Sequence, residues 1–468
     1  MVPLTGRAYL LALLLSSLMS LSAFSQVVPL SNFSSTGRSV LRSTIAEFDG
    51  SLYFGVAVDD SHQRELWRFD GQSTQLVADG FEGETELAVD EFTEFQGQLY
   101  FSASLGDRGH ELYRFDGESV SLAADLESGD ASSYPVGLTV HDGELYFSAK
   151  QGSSYNNLWK FDGTQAEQVA SFADPRASVV LGASFKGDLY FGADDGLRGM
   201  ELWKYDGFST EPVAEINPGP SDAFPRDFVV IDNTLYFKAT TAEHGQEIWQ
   251  YDGAWISLHE DVNPGPKSSD PRYISEHDGR LIYSAVAYGS RSVYEFDGYE
   301  SHSLVSGGGP LNVDGELYSI HGRRVTGVEI NDLRTFSGEL FRSTVHSAGP
   351  FQTMDGKLYF SCACDERELY TLAQAGDANL DGRVDFVDFL TLTENYGVRD
   401  GGWETGDFDR DGNVTFDDFL LQSENFGDGR AITSVASSVP EPSAQTHLLV
   451  LGCLFMLFRA GRVRTRRC

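Results

Sequence analysis

FKGDLYFG (185–192), ELWKYDG (201–207) and EPVAE (211–215) are three short phrases, and each recurs along the chain. The first returns as FDGSLYFG (48–55), FQGQLYFS (95–102), HDGELYFS (141–148) and IDNTLYFK (231–238). Weaker copies are HDGRLIYS (277–284), VDGELYS (313–319) and MDGKLYFS (354–361). Their leucines, Leu52, Leu99, Leu145, Leu189, Leu235, Leu281, Leu317 and Leu358, stand 47, 46, 44, 46, 46, 36 and 41 residues apart. The second phrase returns as ELWRFDG (65–71), ELYRFDG (111–117), NLWKFDG (157–163), EIWQYDG (247–253) and SVYEFDG (292–298), and more loosely as VEIND (328–332) and ELYTL (368–372).

Each copy reads as strands. D-G or N-T ahead of LYF is a tight-turn dipeptide, in which glycine accepts positive φ. LYF and ELW are aromatic and alternating, which suits a pleated surface. A second D-G closes the next hairpin. A third strand follows, as QLVAD (75–79), SLAAD (121–125) or EPVAE, and the stretch ahead of the first turn, VGLTV (136–140) or DFVVI (227–231), is a fourth. Four strands every 44 to 47 residues is the period of a propeller blade. Eight copies predict eight blades, and the short, degraded seventh copy leaves seven as the alternative. The last copy ends at Leu372-Ala373 without its outer strand, whereas QVVPL (26–30) is a spare strand at the other end. Pairing the two would close the ring and remove both sheet edges.

The ELWK and DG phrases resemble the ELWxxDGT-type repeat of large surface proteins from environmental bacteria. That resemblance covers most of residues 48–372 and implies a propeller-like array without assigning an activity. The Asp of each D-G and the glutamates Glu65, Glu111, Glu201, Glu247 and Glu368 recur blade after blade, so they read as structural. His141 and His277 take the aromatic place of the phrase and read as substitutes for Phe. No zincin, nucleophile-elbow or isolated Ser/His/Asp pattern stands out.

The 70 acidic residues against 34 basic ones give a net charge of −36. That excludes nucleic acid as a partner, since phosphates require a basic surface. Hydrophobic residues at 41% suffice for a core, and 468 residues imply more than one unit. Of the four cysteines, Cys453 and Cys468 lie in the tail. Cys362 and Cys364 share one face of a predicted strand, where a bond between them would be strained, so both read as small hydrophobes.

Residues 376–427 carry a sharper signal. Asp377, Asn379, Asp381, Arg383, Asp385 and Asp388 occupy positions 1, 3, 5, 7, 9 and 12 of one loop; Asp407, Asp409, Asp411, Asn413, Thr415 and Asp418 occupy the same positions of a second. Gly382 and Gly412 stand at position 6. Calcium needs six to eight hard oxygens, and this spacing delivers them around a turn, with position 7 giving its backbone carbonyl. Two calcium ions are therefore expected. The halves repeat at an offset of 30: Phe386, Phe389, Leu390, Tyr396 and Gly397 match Phe416, Phe419, Leu420, Phe426 and Gly427. The apolar members are expected to bury one helix face against the partner helix, and the glycines to stop the helices. Loop-then-helix, twice, with Asp at position 12, resembles the type I dockerin. The resemblance implies two calcium sites and a cohesin-like or other surface-protein partner, chosen partly by positions 10 and 11, here Phe386-Val387 and Phe416-Asp417.

The ends are addresses. Arg7, an apolar Ala8–Leu21 stretch and Ala23-Phe24-Ser25 read as a secretory signal peptide cut after Ser25. Val439-Pro440-Glu441-Pro442, an apolar run Leu448–Phe458 and Arg459, Arg462, Arg464, Arg466 and Arg467 resemble the PEP-CTERM sorting tail. That resemblance implies an exosortase-like protease and a transient membrane stop, for which an 11-residue run is too short to be a lasting span. The expected organisation is a signal peptide at 1–25, an all-β propeller at 26–375 and a small all-α paired calcium-loop domain at 376–428. A linker at 429–439 and the sorting tail at 440–468 complete it. The function expected is a secreted, cell-surface interaction protein rather than an enzyme, with a propeller face that takes a glycan or a protein. The alternative is a secreted carbohydrate-active enzyme with a propeller catalytic domain.

Overall fold

The computed structural model describes residues 25–427 apart from short internal segments. The signal-peptide, linker and sorting-tail expectations lie outside the described residues, as do Cys364, Cys453 and Cys468. Among the described residues, no helix is long and apolar enough to cross a membrane.

The strands form eight four-stranded antiparallel sheets. Seven are built from consecutive strands. The fourth, for example, runs Val180–Phe185, Asp188–Asp194, Met200–Tyr205 and Thr210–Ala214. The innermost strands of neighbouring sheets lie against one another, as expected of a β-propeller. The eighth sheet is composite. Ala348–Met354, Lys357–Cys362 and Leu369–Gln374 take Ser25–Pro29 from the other end of the chain as their outer strand, in the register Gln26↔Ala373 and Val28↔Thr371. This is the pairing that the spare QVVPL segment predicts.

The LYF phrase shows how sequence sets the packing. Side chains alternate along a strand, so Leu and Phe face one neighbouring sheet while Tyr faces the other. Leu99 and Phe101 lie in the core between the first and second sheets, and Tyr100 lies in the core between the second and third. Leu189 and Phe191 meet the third sheet, and Tyr190 meets the fifth. Where the ring closes, Phe33, Leu52, Phe54 and Phe69 of the N-terminal part pack with Met354, Tyr359 and Leu369. Each core is thus shared between two sheets, and no single sheet could bury its own apolar faces.

The turn ahead of LYF takes positive φ at both central residues: Asp49 (48°) with Gly50 (66°), and Asp142 (46°) with Gly143 (77°). That is the twist-matched two-residue hairpin. The aromatic just before the turn packs on the tyrosine after it, as in Phe48–Tyr53 at 5.9 Å and Phe185–Tyr190 at 5.7 Å. His141 fills the same place: buried, T-shaped on Tyr146 at 5.6 Å, with Nδ1 2.9 Å from Ser184 Oγ.

The repeated glutamate of ELW is a buried staple. Glu247 accepts from Ser269 N (2.8 Å), Ser269 Oγ (2.6 Å) and Val262 N (3.3 Å), all in the connection to the next sheet. Glu111 holds Leu126 N and Ser133 in the same way, and Glu201 holds Ile216 N and Asn217 N. Glu368 does this for ring closure, accepting from Phe33 N (2.9 Å) and Ser31 Oγ near the other end of the chain. Glu65 instead pairs with Arg38 through both oxygens (2.8 and 3.0 Å).

Beyond the last sheet, the paired loops carry two short helices, α1 (Phe386–Glu394) and α2 (Phe416–Asn425). They belong to the same compact unit as the sheets. Val28 and Ala373 of the closing sheet share one core with Ala378, Leu392, Trp403, Phe408 and Val414. Asn425 Nδ2 donates to Ala375 O (2.8 Å) and Gln422 Nε2 to Gly376 O (3.1 Å). Gly376 is obligatory here: a Cβ would lie 2.7 Å from Val384 Cγ1 and 2.9 Å from Gln422 Cα.

Candidate metal centre in the paired loops

Each loop folds by the same internal bonds. The position-1 carboxylate accepts from the position-6 glycine, Asp377 from Gly382 N (2.9 Å) and Asp407 from Gly412 N (3.0 Å). Position 3 accepts from the amide of position 5, and position 5 from that of position 7. Position 12 reaches back across the loop. Asp388 accepts from Ala378 N, Asn379 N and Asp385 N; Asp418 accepts from Phe408 N, Asp409 N and Thr415 N. Asp388 and Asp418 are also the third residues of α1 and α2, and with Asp385 and Thr415 they complete capping boxes. One carboxylate therefore ties the loop to the first turn of its helix, so loop order and helix order are coupled.

Each loop is also tied at position 8 to the glycine that follows the other half's helix. Val384 O accepts from Gly427 N (2.9 Å), and Val414 O accepts from Gly397 N (2.8 Å). Trp403, in a short 3-10 turn between the halves, donates Nε1 to Asp377 O (2.6 Å) and lies edge-on to Phe408 at 5.2 Å.

The acidic groups crowd one another. Asp407, Asp409 and Asp418 each offer an oxygen, and these lie within 4.8 Å of one another. Asp407 Oδ1 is buried without a hydrogen-bond partner. Burial, and then the neighbouring Asp388 and Asp381, push Asp377 up to about 7. Asp388 and Asp409 are also raised, burial being the larger cause in each. A bound cation would offset the desolvation and mutual repulsion of carboxylates stacked in this way, as a proton does in its place. A hard divalent ion fits this all-oxygen donor set, and the orphaned Asp407 Oδ1 is an oxygen it would use.

Among the described residues, Asp407, Asp409 and Asp418 are the acidic groups that converge on one point, while in the first loop hydrogen bonds link Asp377 to Asp381 N, Asn379 to Asp381 and Asp388 to Asp385 N. The Arg383 side chain is exposed. The Asn413 side chain turns to Asp411 Oδ1 at 3.1 Å, which leaves its backbone carbonyl as the position-7 donor.

One expectation is corrected. The matched apolar residues do not bury a face between the helices. Among the described residues, the ring contact across them is Phe389 with Phe419, at 6.3 Å. Phe386, Leu390, Tyr396, Phe416, Leu420 and Phe426 are exposed. The helices are held instead through the loops and through Leu392, Gln422 and Asn425 facing the closing sheet. The oxygen pattern gave no signal for that docking, although an isolated Trp403 between the two loops was a clue to it.

No known sequence family matches the chain, and no curated protein does. Among the solved structures that resemble it at low identity are three. BamB from Moraxella catarrhalis does so at 11% identity and a TM-score of 0.42, covering 75% of this chain and 99% of that one. The β-propeller domain of the Trilobed protease from Pyrococcus furiosus does so at 10% and 0.38, covering 70% and 95%. A puromycin hydrolase mutant does so at 15% and 0.38, covering 55% of this chain and 43% of the hydrolase.

Proposed function

We propose that this chain is a secreted, surface-displayed interaction protein: a propeller that presents binding turns, followed by a dockerin-like module that holds two calcium ions and docks a partner. The observation that carries the reading is the duplicated apolar face. Phe386 is 57% exposed and Phe416 48%, and with Phe389 and Phe419 they form a continuous row of four rings across the two helices. Leu390 and Leu420 flank the row. The opposite side of the module is already buried against the closing sheet, so this face is the one left for a partner. Positions 10 and 11, which help choose partners in dockerins, lie at its edge.

The calcium ions would be held by Asp377, Asn379, Asp381, Asp385 and Asp388 and by Asp407, Asp409, Asp411, Thr415 and Asp418, with the Arg383 and Asn413 carbonyls. They would supply no reaction, only charge and order. Cleavage after Ser25 would leave Gln26–Pro29 paired in the closing sheet. The Pro440-Glu441-Pro442 segment and Arg-rich end suit release by an exosortase-like protease.

The test is binding of the full chain to the producer's surface proteins, followed by interferometry in calcium and in chelator. Binding that is lost in chelator and lost again in Phe386→Asp with Phe416→Asp is expected. Binding indifferent to both changes would overturn the docking role.

A further inference from the structure

The turn between the third and fourth strands has one construction throughout the first six sheets. The Asp of D-G accepts from the amides two and three residues on, and its own amide donates back to the carbonyl three residues on. Asp70, Asp116, Asp162, Asp206, Asp252 and Asp297 all follow this pattern. The fold therefore asks only for Asp-Gly, and the next two residues are free. In the first three sheets they are polar: Gln72-Ser73, Glu118-Ser119 and Thr164-Gln165. In the next three each turn carries an aromatic: Phe208, Trp255 and Tyr299, exposed by 95%, 79% and 95%.

The three sheets are consecutive, so the rings form an arc on one end of the ring of sheets. The turns of neighbouring sheets touch at this end. Lys186, in the first turn of the fourth sheet, donates Nζ to Asp252 O in the fifth, and Gln96 in the second sheet donates to Asp162 O in the third (3.2 Å). The rings thus stand on short turns closed by their own aspartate bonds, and the Trp255 turn is also tied to the neighbouring sheet.

Resting on the surface-binding reading above, we infer that Phe208, Trp255 and Tyr299 form a stacking arc for a neutral polysaccharide chain. Nothing in the packing requires a ring at these places, and exposing three costs solubility. Single rings on separate turns, each surrounded by polar turn atoms, do not make the contiguous apolar centre that a protein interface needs. They suit a ligand that is itself periodic, with a C–H face on each sugar to lie on a ring and hydroxyls to meet the turn polar groups. The charge of −36 repels anionic lipid surfaces and anionic glycans, which leaves an uncharged chain as the occupant.

The test uses the full chain in calcium, run in native gels containing soluble mixed-linkage β-glucan, xyloglucan or alginate. Retardation by at least one neutral glucan and none by alginate is expected. Phe208→Ser, Trp255→Ala and Tyr299→Ser together should raise the apparent Kd at least tenfold with an unchanged melting temperature. Equal migration of wild type and triple variant in every gel would overturn the inference. So would a triple variant whose only change is lost flotation with phosphatidylcholine vesicles or lost self-association in sedimentation. Any of these results leaves the calcium-dependent docking test on Phe386 and Phe416 untouched, so the two readings fail separately.

Discussion

At the scale of single residues, the repeat uses two kinds of carboxylate in opposite ways. The exposed turn aspartates are held low by the amides they accept; Asp162 lies at about 2 through the Thr164 hydroxyl and the Gln165 and Thr164 amides. The staple glutamates are pushed the other way. Burial raises Glu201 and Glu247 to about 7, against the pull of their amide donors. A carboxyl whose folded pKa is raised contributes stability that is complete below its unfolded value, near 4.5, and lost as pH climbs through 7. Urea midpoints measured in calcium should therefore fall between pH 5 and pH 8, and Glu201→Gln with Glu247→Gln should flatten that fall. A wild-type profile with no downward slope in this window would refute the titration. Glu247→Ala goes further. It strands Ser269 N, Ser269 Oγ and Val262 N in a buried connection and should cost roughly 3 kcal/mol by urea unfolding. The sequence identified these glutamates as structural because they recur. It could not show what they hold, since the partners lie 15 to 22 residues on, in connections outside the repeated phrases.

At the scale of elements, alternation made the strands readable, and the ring of shared cores follows from it. LYF tells Leu and Phe from Tyr by side, and a one-residue slip would turn every such face around. The paired loops and the start of each helix were equally legible, because the spacing of turn and cap residues is a local property. The helix faces were not. Helical periodicity at Phe386, Phe389 and Leu390 marks an apolar face without saying what covers it, and the buried side was set by Trp403, Phe408 and the closing sheet. The coupling of each position-12 carboxylate to its helix cap yields a prediction. Removing the cation should free Asp388 and Asp418 to repel their neighbours and loosen both helices. Hydrogen exchange over Phe386–Glu394 and Phe416–Asn425 should quicken in chelator by at least tenfold, while Leu99–Phe101 stays protected. Asp377→Ala with Asp407→Ala should reproduce the chelated pattern in calcium. Exchange that is the same with and without calcium would remove the metal from the account.

At the scale of the whole molecule, the N-terminal strand is the point where ring and module meet. Ser25–Pro29 supplies the outer edge of the eighth sheet, Ser31 and Phe33 fill the Glu368 staple, and Phe33 enters the core that joins the last sheet to the first. Val28 belongs at the same time to the core beneath the paired loops. Deleting residues 26–32 thus removes a strand, takes the Ser31 hydroxyl from Glu368 and opens the module's floor. The expected loss is on the order of 5 kcal/mol, from the buried apolar side chains and the stranded polar groups together. It should appear in two places at once: a lower melting temperature for the sheets, and faster exchange in both helices even in saturating calcium. Glu368→Ala should lower the melting temperature in the same direction while leaving the module's floor in place. A deletion that melts at the wild-type temperature would mean that the ring does not depend on its composite sheet. A deletion that melts lower but leaves the helices protected would mean that the module docks without Val28.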